Sequence, residues 1–483
     1  MPNAEMRATD TVAVEPEIVD PAMPDFAAHP ARSSWSGKWM FILSAAASAV
    51  GLGNMWRFPY LAAKYGGGTF IFTYFVLVFT FGVSMLLLET SLGRKTGQSV
   101  IGAYSSFGKK YKFIGILSAA IPFIIVPYYC IIGGWVAKYC VSYLIEAPAT
   151  MSDGGDFFIG FITSPDASFL FMLLFMMAAF LVVSLGVKGG IERANQIMMS
   201  LLLLAAVGIA IYVGTFPGAI EGIAYYLVPD FSKFSPELVV GALGQMFYSL
   251  SLAMAIMVTY GSYLDKKENL PKSVAWIGGA DLLVSTLAGL MIVPAAFIVM
   301  GSAEAVAAKS GPSLMFITLP GVFTEMGGVA PVIGFIFFLL VLFAALTSAI
   351  SLIEACVSIV SDGAGVSRRR ALTITVAIVV VAGIFINLGY NGLSFIEPLG
   401  EGSSLLDFFD FISNSVLMPI VALLTVTFVG WVVKPQTLID EIKVSSPFKA
   451  EKAWVVMVKY VAPVLLVVIL VAYVGAQFGL FSF

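Results

Sequence analysis

Ala49-Val-Gly-Leu-Gly-Asn-Met-Trp-Arg-Phe-Pro-Tyr60 lies inside an apolar run from residue 39 to 63 and interrupts the helix that the run would otherwise form. A run of that length covers the roughly 20 residues a helix needs to cross a bilayer. Gly51 and Gly53 flank Leu52 at mid-depth, and Asn54 adds a polar side chain directly after them. Backbone unwound at that depth is tolerable only where it lines a cavity, and its free carbonyls and amides can then hold ions and substrate. A glycine pair that merely lets two helices pack closely fits this feature equally well when it is taken alone. The sixth apolar run carries a second candidate interruption, with Ser249, Ser251 and Ala253 preceded by Gly241 and Gly244. Breaks at corresponding places in two halves point to a transporter built from inverted repeats of five helices each.

The surrounding composition agrees with a membrane. Of 483 residues, 59% are hydrophobic and only 11% charged, against about 25% charged in soluble domains, and mean hydropathy is +0.96. Long unbroken apolar runs, not short alternating strands, exclude a β-barrel. Three cysteines exclude a disulfide scaffold, and Cys130, Cys140 and Cys356 sit in apolar runs where a thiol is inert. A net charge of −3 leaves no basic footprint for nucleic acid. One histidine, His29, lies in a proline-rich stretch before residue 34 that reads as a disordered tail. No HExxH, Ser-His pair or Walker loop is present, so a membrane enzyme is disfavoured. Polar groups gather at the two breaks and do not line a continuous path, which disfavours a channel.

Apolar runs near 39–63, 68–92, 113–145, 168–187, 191–214, 237–264, 273–300, 331–359, 370–388, 403–433 and 454–480 predict an all-α polytopic membrane protein of eleven spans. The expected organisation is a cytoplasmic tail over 1–34, a five-helix repeat over 35–214, a second over 237–433, and an extra helix over 454–480. Basic residues such as Arg94, Lys95, Lys188, Lys266 and Arg368 fall on one side, and acids such as Glu146, Asp153, Asp230 and Glu397 on the other. That asymmetry predicts the N-terminus inside and the C-terminus outside. The stretch 301–330, broken by Gly and Pro, reads as a structured external loop or hairpin. Glu89, Asp281, Glu354 and Asp410 are ionisable groups within apolar helices, which are costly and therefore functional candidates.

The quoted run, followed by Gly66-Gly-Gly68, Glu89 and Gly93-Arg94, resembles the signature of the neurotransmitter:sodium symporter family. Tyr128-Tyr129, Lys188-Gly-Gly-Ile-Glu-Arg193, Gln245-Met-Phe-Tyr-Ser-Leu-Ser251, Thr259-Tyr-Gly-Ser-Tyr263 and Leu346-Thr-Ser-Ala349 match it in order, over roughly residues 32–435. The eleventh helix agrees only in being apolar, and eleven helices is a short form found among bacterial members. The resemblance implies a symporter that takes up an amino acid with the inward sodium gradient, located in the cell membrane, the inner one in a bacterium.

Two sodium sites are implied. One resembles the carbonyl of Ala49 with the side chains of Asn54, Ser249 and Asp281 and the substrate's own carboxylate; the other resembles the carbonyls of Ala47, Val50 and Ala344 with the hydroxyls of Thr347 and Ser348. A hard cation wants such oxygens, although Ser and Thr in membrane helices commonly bond the carbonyl four residues back instead. Asp281 stands where many members carry Asn, beside Tyr74, Gln245 and Ser249. Its charge can replace that of chloride, so chloride-independent transport is expected even though Ser285 keeps the chloride-type residue.

Amine-transporting relatives place an aspartate where this chain has Gly51. The amides around Gly51 and Gly53, with the Tyr129 hydroxyl, suit a carboxylate, while carbonyls near Ala49 and Ser251 suit an amine. The implied side-chain pocket, Ser48, Ile125, Tyr248, Ser251, Met254 and Leu352, holds no net charge and predicts a neutral, hydrophobic amino acid. A small zwitterionic osmolyte or γ-amino acid is the alternative. The implied outer gate is Arg57 with Asp410 through water, capped by Tyr129 and Tyr248; the inner gate is Arg32 with Asp362, braced by Trp35 and Tyr263. Glu89 is expected to steady the unwound sixth helix through backbone amides. The sequence leaves oligomeric state open.

Overall fold

The computed structural model describes residues 34–153, 155–300 and 312–480. The tail before Ser34, with His29 and the gate candidate Arg32, lies outside the described residues. Nine described helices are long and apolar enough to cross a membrane. They are Gly68–Thr96, Lys109–Ile145, Pro165–Ser184, Val187–Gly214, Leu270–Met300, Gly327–Ala364, Arg368–Tyr390, Leu405–Val433 and Glu451–Gln477. The first span is a bent pair, Lys38–Ala49 and Gly53–Lys64, meeting at 58°. The sixth is also a pair, Pro236–Ser249 and Ile256–Gly261. Eleven spans result, at the places the apolar runs predict.

Local chemistry sets many of the ends. Ser235 caps the sixth helix by accepting the Leu238 amide at 3.1 Å, with Pro236 at the first helical position. Ser404 and Asp407 form a reciprocal capping box at the start of the tenth. Gly365, in the left-handed region at φ 62°, closes the eighth.

The third and eighth helices pack along each other at the centre, and the two broken helices lie against them. In the described part of the loop between the seventh and eighth helices, Leu314–Glu325 is a short apolar helix. Its buried Phe316 meets the rings of Trp56, Trp135, Tyr139 and Phe158 at centroid distances of 6.3, 5.9, 5.1 and 5.0 Å. The Tyr139 hydroxyl donates to the Phe316 carbonyl at 2.7 Å. The loop is thereby seated against the first helix just past its break, at Trp56.

The sixth helix is interrupted at the stretch that carries Ser249, Ser251 and Ala253, and Gly241 and Gly244 lie ahead of the break, inside its first half. They are packing glycines: a Cβ on Gly241 would sit 2.8 Å from the Tyr65 ring, and one on Gly244 would sit 1.9 Å from the Tyr473 hydroxyl. The break itself, between Ser249 and Ile256, contains no glycine.

Candidate substrate and sodium site

The first helix stops at Ala49, and the Gly51 amide that would continue it donates to Asn54 Oδ1 at 2.9 Å. That bond aims the other end of Asn54 into the protein. Its Nδ2 reaches Ser249 Oγ at 2.9 Å, Asp281 Oδ1 at 2.8 Å and Ser285 Oγ at 2.8 Å. Ser249 Oγ donates to the same Asp281 oxygen, and Tyr74 donates to Asp281 Oδ2 at 2.6 Å. The nearby Gln245 Nε2 donates to the Gly53 carbonyl at 3.1 Å.

Two Nδ2 protons serve three oxygens here, so the cluster is rich in acceptors. Asp281 is fully buried, and among the described residues no Lys or Arg lies within 4.0 Å of it. A buried carboxylate without a cationic partner carries a large desolvation cost, which a bound cation would offset. No group of three His, Cys, Asp or Glu occurs among the described residues. The donor set is therefore oxygen only, suited to a hard cation and not to a transition metal.

The second proposed sodium shell is assembled in part. Ser348 Oγ donates to the Ser48 carbonyl at 3.0 Å and toward that of Val50 at 3.3 Å, linking the eighth helix to the break. Thr347 Oγ1 donates to the carbonyls of Phe343 and Ala344, each at 3.0 Å, which is the back-bonded arrangement common in membrane helices. Ala47 is fully buried in the last turn before the break.

Across from these groups the sixth helix turns through Ser251, Ala253 and Ala255, all in the left-handed region at φ 54°, 61° and 63°. Glu89 Oε1 accepts the Ala253 amide at 2.8 Å, as expected of it. Ser251 Oγ donates to the Ser48 carbonyl at 3.2 Å. Between the breaks lies a tight cavity of about 30 Å³, lined by Ser48, Ala49, Gly51, Gly53, Ile125, Tyr129, Tyr248, Ser251, Met254 and Leu352. All ten candidate substrate residues are thus brought to one place. Leu52 and Ile256 line it as well and escaped the sequence reading; each is simply the apolar residue beside a break. No charged side chain lines the cavity. The Leu52 amide donates to the Tyr129 hydroxyl at 3.4 Å, fixing the phenol beside the first break.

On one side of the cavity, Arg57 and Asp410 make no ion pair within 4.0 Å among the described residues. Asp410 instead accepts from Asn414 Nδ2 at 2.6 Å, and the Arg57 guanidinium lies 6.0 Å from the Tyr248 ring. Ahead of the first helix, the Trp35 indole donates to the Tyr260 carbonyl at 3.1 Å, and its ring meets those of Tyr260 and Tyr263 at 5.0 and 6.1 Å. Asp362, in the last turn of the eighth helix, accepts the Ser99 amide at 2.8 Å. A partnership missed in the sequence lies nearby. Glu354, fully buried, accepts from Tyr263 at 2.7 Å and from both terminal nitrogens of Arg368.

Two broken helices that meet around an uncharged cavity, beside a buried carboxylate in an oxygen-rich cluster, define an ion-coupled helical transporter. The chain belongs to the sodium:neurotransmitter symporter family, whose model matches residues 32–150 and 162–478. The match runs through the eleventh helix, beyond residue 435 where the motif resemblance ends. A relative in Haemophilus influenzae, described as an uncharacterized sodium-dependent transporter, is 32% identical over 91% of this chain and 98% of its own length. One in Bacillus subtilis with the same description is 33% identical over 91% and 97%. A taurine transporter of Canis lupus familiaris, described as sodium- and chloride-dependent, is 30% identical over 62% of this chain and 55% of its own. The solved structure of MhsT in complex with L-phenylalanine superposes with a TM-score of 0.80 at 34% identity, covering 91% of this chain and 99% of that one. This protein is accordingly a sodium-dependent transporter of that family, an integral membrane protein and not an enzyme. Its fold is the family's five plus five inverted repeat with helices 1 and 6 broken, followed by one further helix.

Proposed function

We propose that the protein is a sodium-coupled symporter for a neutral, hydrophobic amino acid, working by alternating access without a requirement for chloride. The observation that carries this is the cavity between the breaks, mostly apolar, free of charged side chains, and bordered by the buried Asp281 cluster. Tyr129 and the break amides receive the substrate carboxylate; the carbonyls near Ala49 and Ser251 receive its amine. One sodium takes Ala49, Asn54, Ser249, Asp281 and a substrate oxygen, and a second takes Ala47, Val50, Ala344, Thr347 and Ser348. A substrate oxygen on the first ion makes each ligand raise the affinity of the other, which is the reciprocal coupling that symport requires.

The likeness to MhsT with bound L-phenylalanine supports a hydrophobic substrate. The taurine transporter relative supports the second reading, a small zwitterion. Asp281 supports independence from chloride, because a fixed carboxylate supplies the negative charge at the oxygen cluster. Arg57 and Asp410 form the outer gate, Arg32 and Asp362 the inner one, with the N-terminus cytoplasmic and the C-terminus outside.

Radiolabelled uptake into proteoliposomes, across a panel of neutral amino acids with taurine and γ-aminobutyrate included, tests the reading. Sodium-driven accumulation of phenylalanine, leucine or tryptophan is expected, undiminished when gluconate replaces chloride. Uptake of taurine alone would move the assignment to the second reading, and a large loss in gluconate would remove the role given to Asp281.

A further inference from the structure

The eleventh helix lies outside both repeats, yet it sends a side chain into the outer gate. Arg57 Nη2 donates to the Tyr473 hydroxyl at 2.9 Å, and the guanidinium lies 5.6 Å from the Tyr473 ring and 6.0 Å from that of Tyr248. The phenol reaches that far because Gly244 leaves a notch in the sixth helix, where a Cβ would stand 1.9 Å from the hydroxyl. Arg57, Gly244, Tyr248, Asn414 and Tyr473 line one cleft, and Tyr248 also lines the central cavity, so it is the wall between the two. Among the described residues Arg57 and Asp410 make no ion pair within 4.0 Å, and the hydrogen bond to Tyr473 is a direct polar tie on this guanidinium.

We infer that Tyr473 is a positioning residue of the outer gate, holding the Arg57 guanidinium between two aromatic rings over the mouth of the central cavity. The inference rests on the reading of Arg57 as a gate. A tyrosine that merely filled the Gly244 notch would need its ring there but not a hydroxyl on Arg57. Tyr473→Phe separates these roles, because it keeps the ring and removes the bond.

The test places a cysteine in the cleft by Ser415→Cys and follows its labelling by a membrane-impermeant maleimide in proteoliposomes in potassium medium; the native cysteines are buried. Tyr473→Phe is expected to raise the labelling rate about tenfold or more, the range for losing one hydrogen bond to a charged group, with the melting temperature unchanged. Gly244→Ala, which pushes the Tyr473 hydroxyl aside while leaving both Arg57 and Tyr473 unmutated, is expected to do the same, and it carries the test should Tyr473→Phe fold poorly. Arg57→Gln is run in parallel. A rise with Arg57→Gln but none with Tyr473→Phe or Gly244→Ala overturns the role of Tyr473 and leaves the gate standing. No rise with Arg57→Gln overturns the gate itself, and the role of Tyr473 with it.

Discussion

The first and sixth helices are both cut near mid-depth, but by opposite means. Neither Gly51 nor Gly53 lies in the left-handed region. What they provide is room: a Cβ on Gly51 would meet Ser348 Oγ at 2.7 Å and the Tyr129 hydroxyl at 3.1 Å, and one on Gly53 would meet the Tyr248 ring at 2.9 Å. The sixth break has no glycine and turns on three L-residues at positive φ, Ser251, Ala253 and Ala255. Each such residue costs roughly 1–2 kcal/mol and persists only where its surroundings over-determine it. Glu89 on Ala253 and the Ser48 carbonyl on Ser251 are those surroundings. The first break is shaped by what must approach it closely, the sixth by what must hold it.

Removing the holder is the severest way to break that contrast. Glu89→Ala leaves the Ala253 amide buried without its acceptor, at a cost of about 1–3 kcal/mol, and frees a segment that is already strained. Sodium-dependent uptake is expected to vanish and the melting temperature in detergent to fall by several degrees. Glu89→Gln keeps a carbonyl acceptor at the same reach and is expected to retain the fold. Wild-type uptake and melting in Glu89→Ala would mean that the sixth break holds itself.

Crowding the first break comes next in size. Gly51→Ala must displace the Ser348 hydroxyl from the carbonyls of Ser48 and Val50, or the Tyr129 hydroxyl from the Leu52 amide. Overpacking of this kind costs about 1–3 kcal/mol, so substrate affinity measured by scintillation proximity is expected to drop roughly tenfold or more. Gly53→Ala presses on the edge of the Tyr248 ring, which can turn aside, and its loss should be smaller. Equal losses at the two positions would show that the close approach of Ser348 is not what sets the requirement for glycine.

The same contrast explains what the sequence could and could not disclose. The first break is legible because glycines beside an asparagine in an apolar run are a local anomaly. The sixth is legible only as a run of small residues, and Gly241 and Gly244, which precede its break, serve the rings of Tyr65 and Tyr473. Nothing in the local preferences of Ser251, Ala253 and Ala255 announces positive φ, since a tertiary partner, Glu89, imposes it. Motif resemblance still named residues that the fold gathers around one cavity, because it carries three-dimensional information that periodicity lacks. It stopped short at Tyr473, in a helix whose apolar pattern says only that it spans. Arg368 was legible as a marker of orientation, while its bond to Glu354 needed the fold to be seen.

The mildest change sharpens the comparison from the other side. Ala253→Gly keeps the amide that Glu89 accepts and removes the Cβ that makes φ 61° costly. Relief of roughly 1–2 kcal/mol is opposed by about 0.5–1 kcal/mol of extra chain entropy lost by glycine on folding. A net gain of up to about 1 kcal/mol follows, seen as a melting temperature raised by a few degrees at most. Glycine would then be tolerated or favoured in the break that has none, while alanine is rejected in the break that has two. A fall in melting temperature as large as glycine causes in an ordinary helix would place the strain elsewhere, and would leave close packing as the single principle behind both breaks.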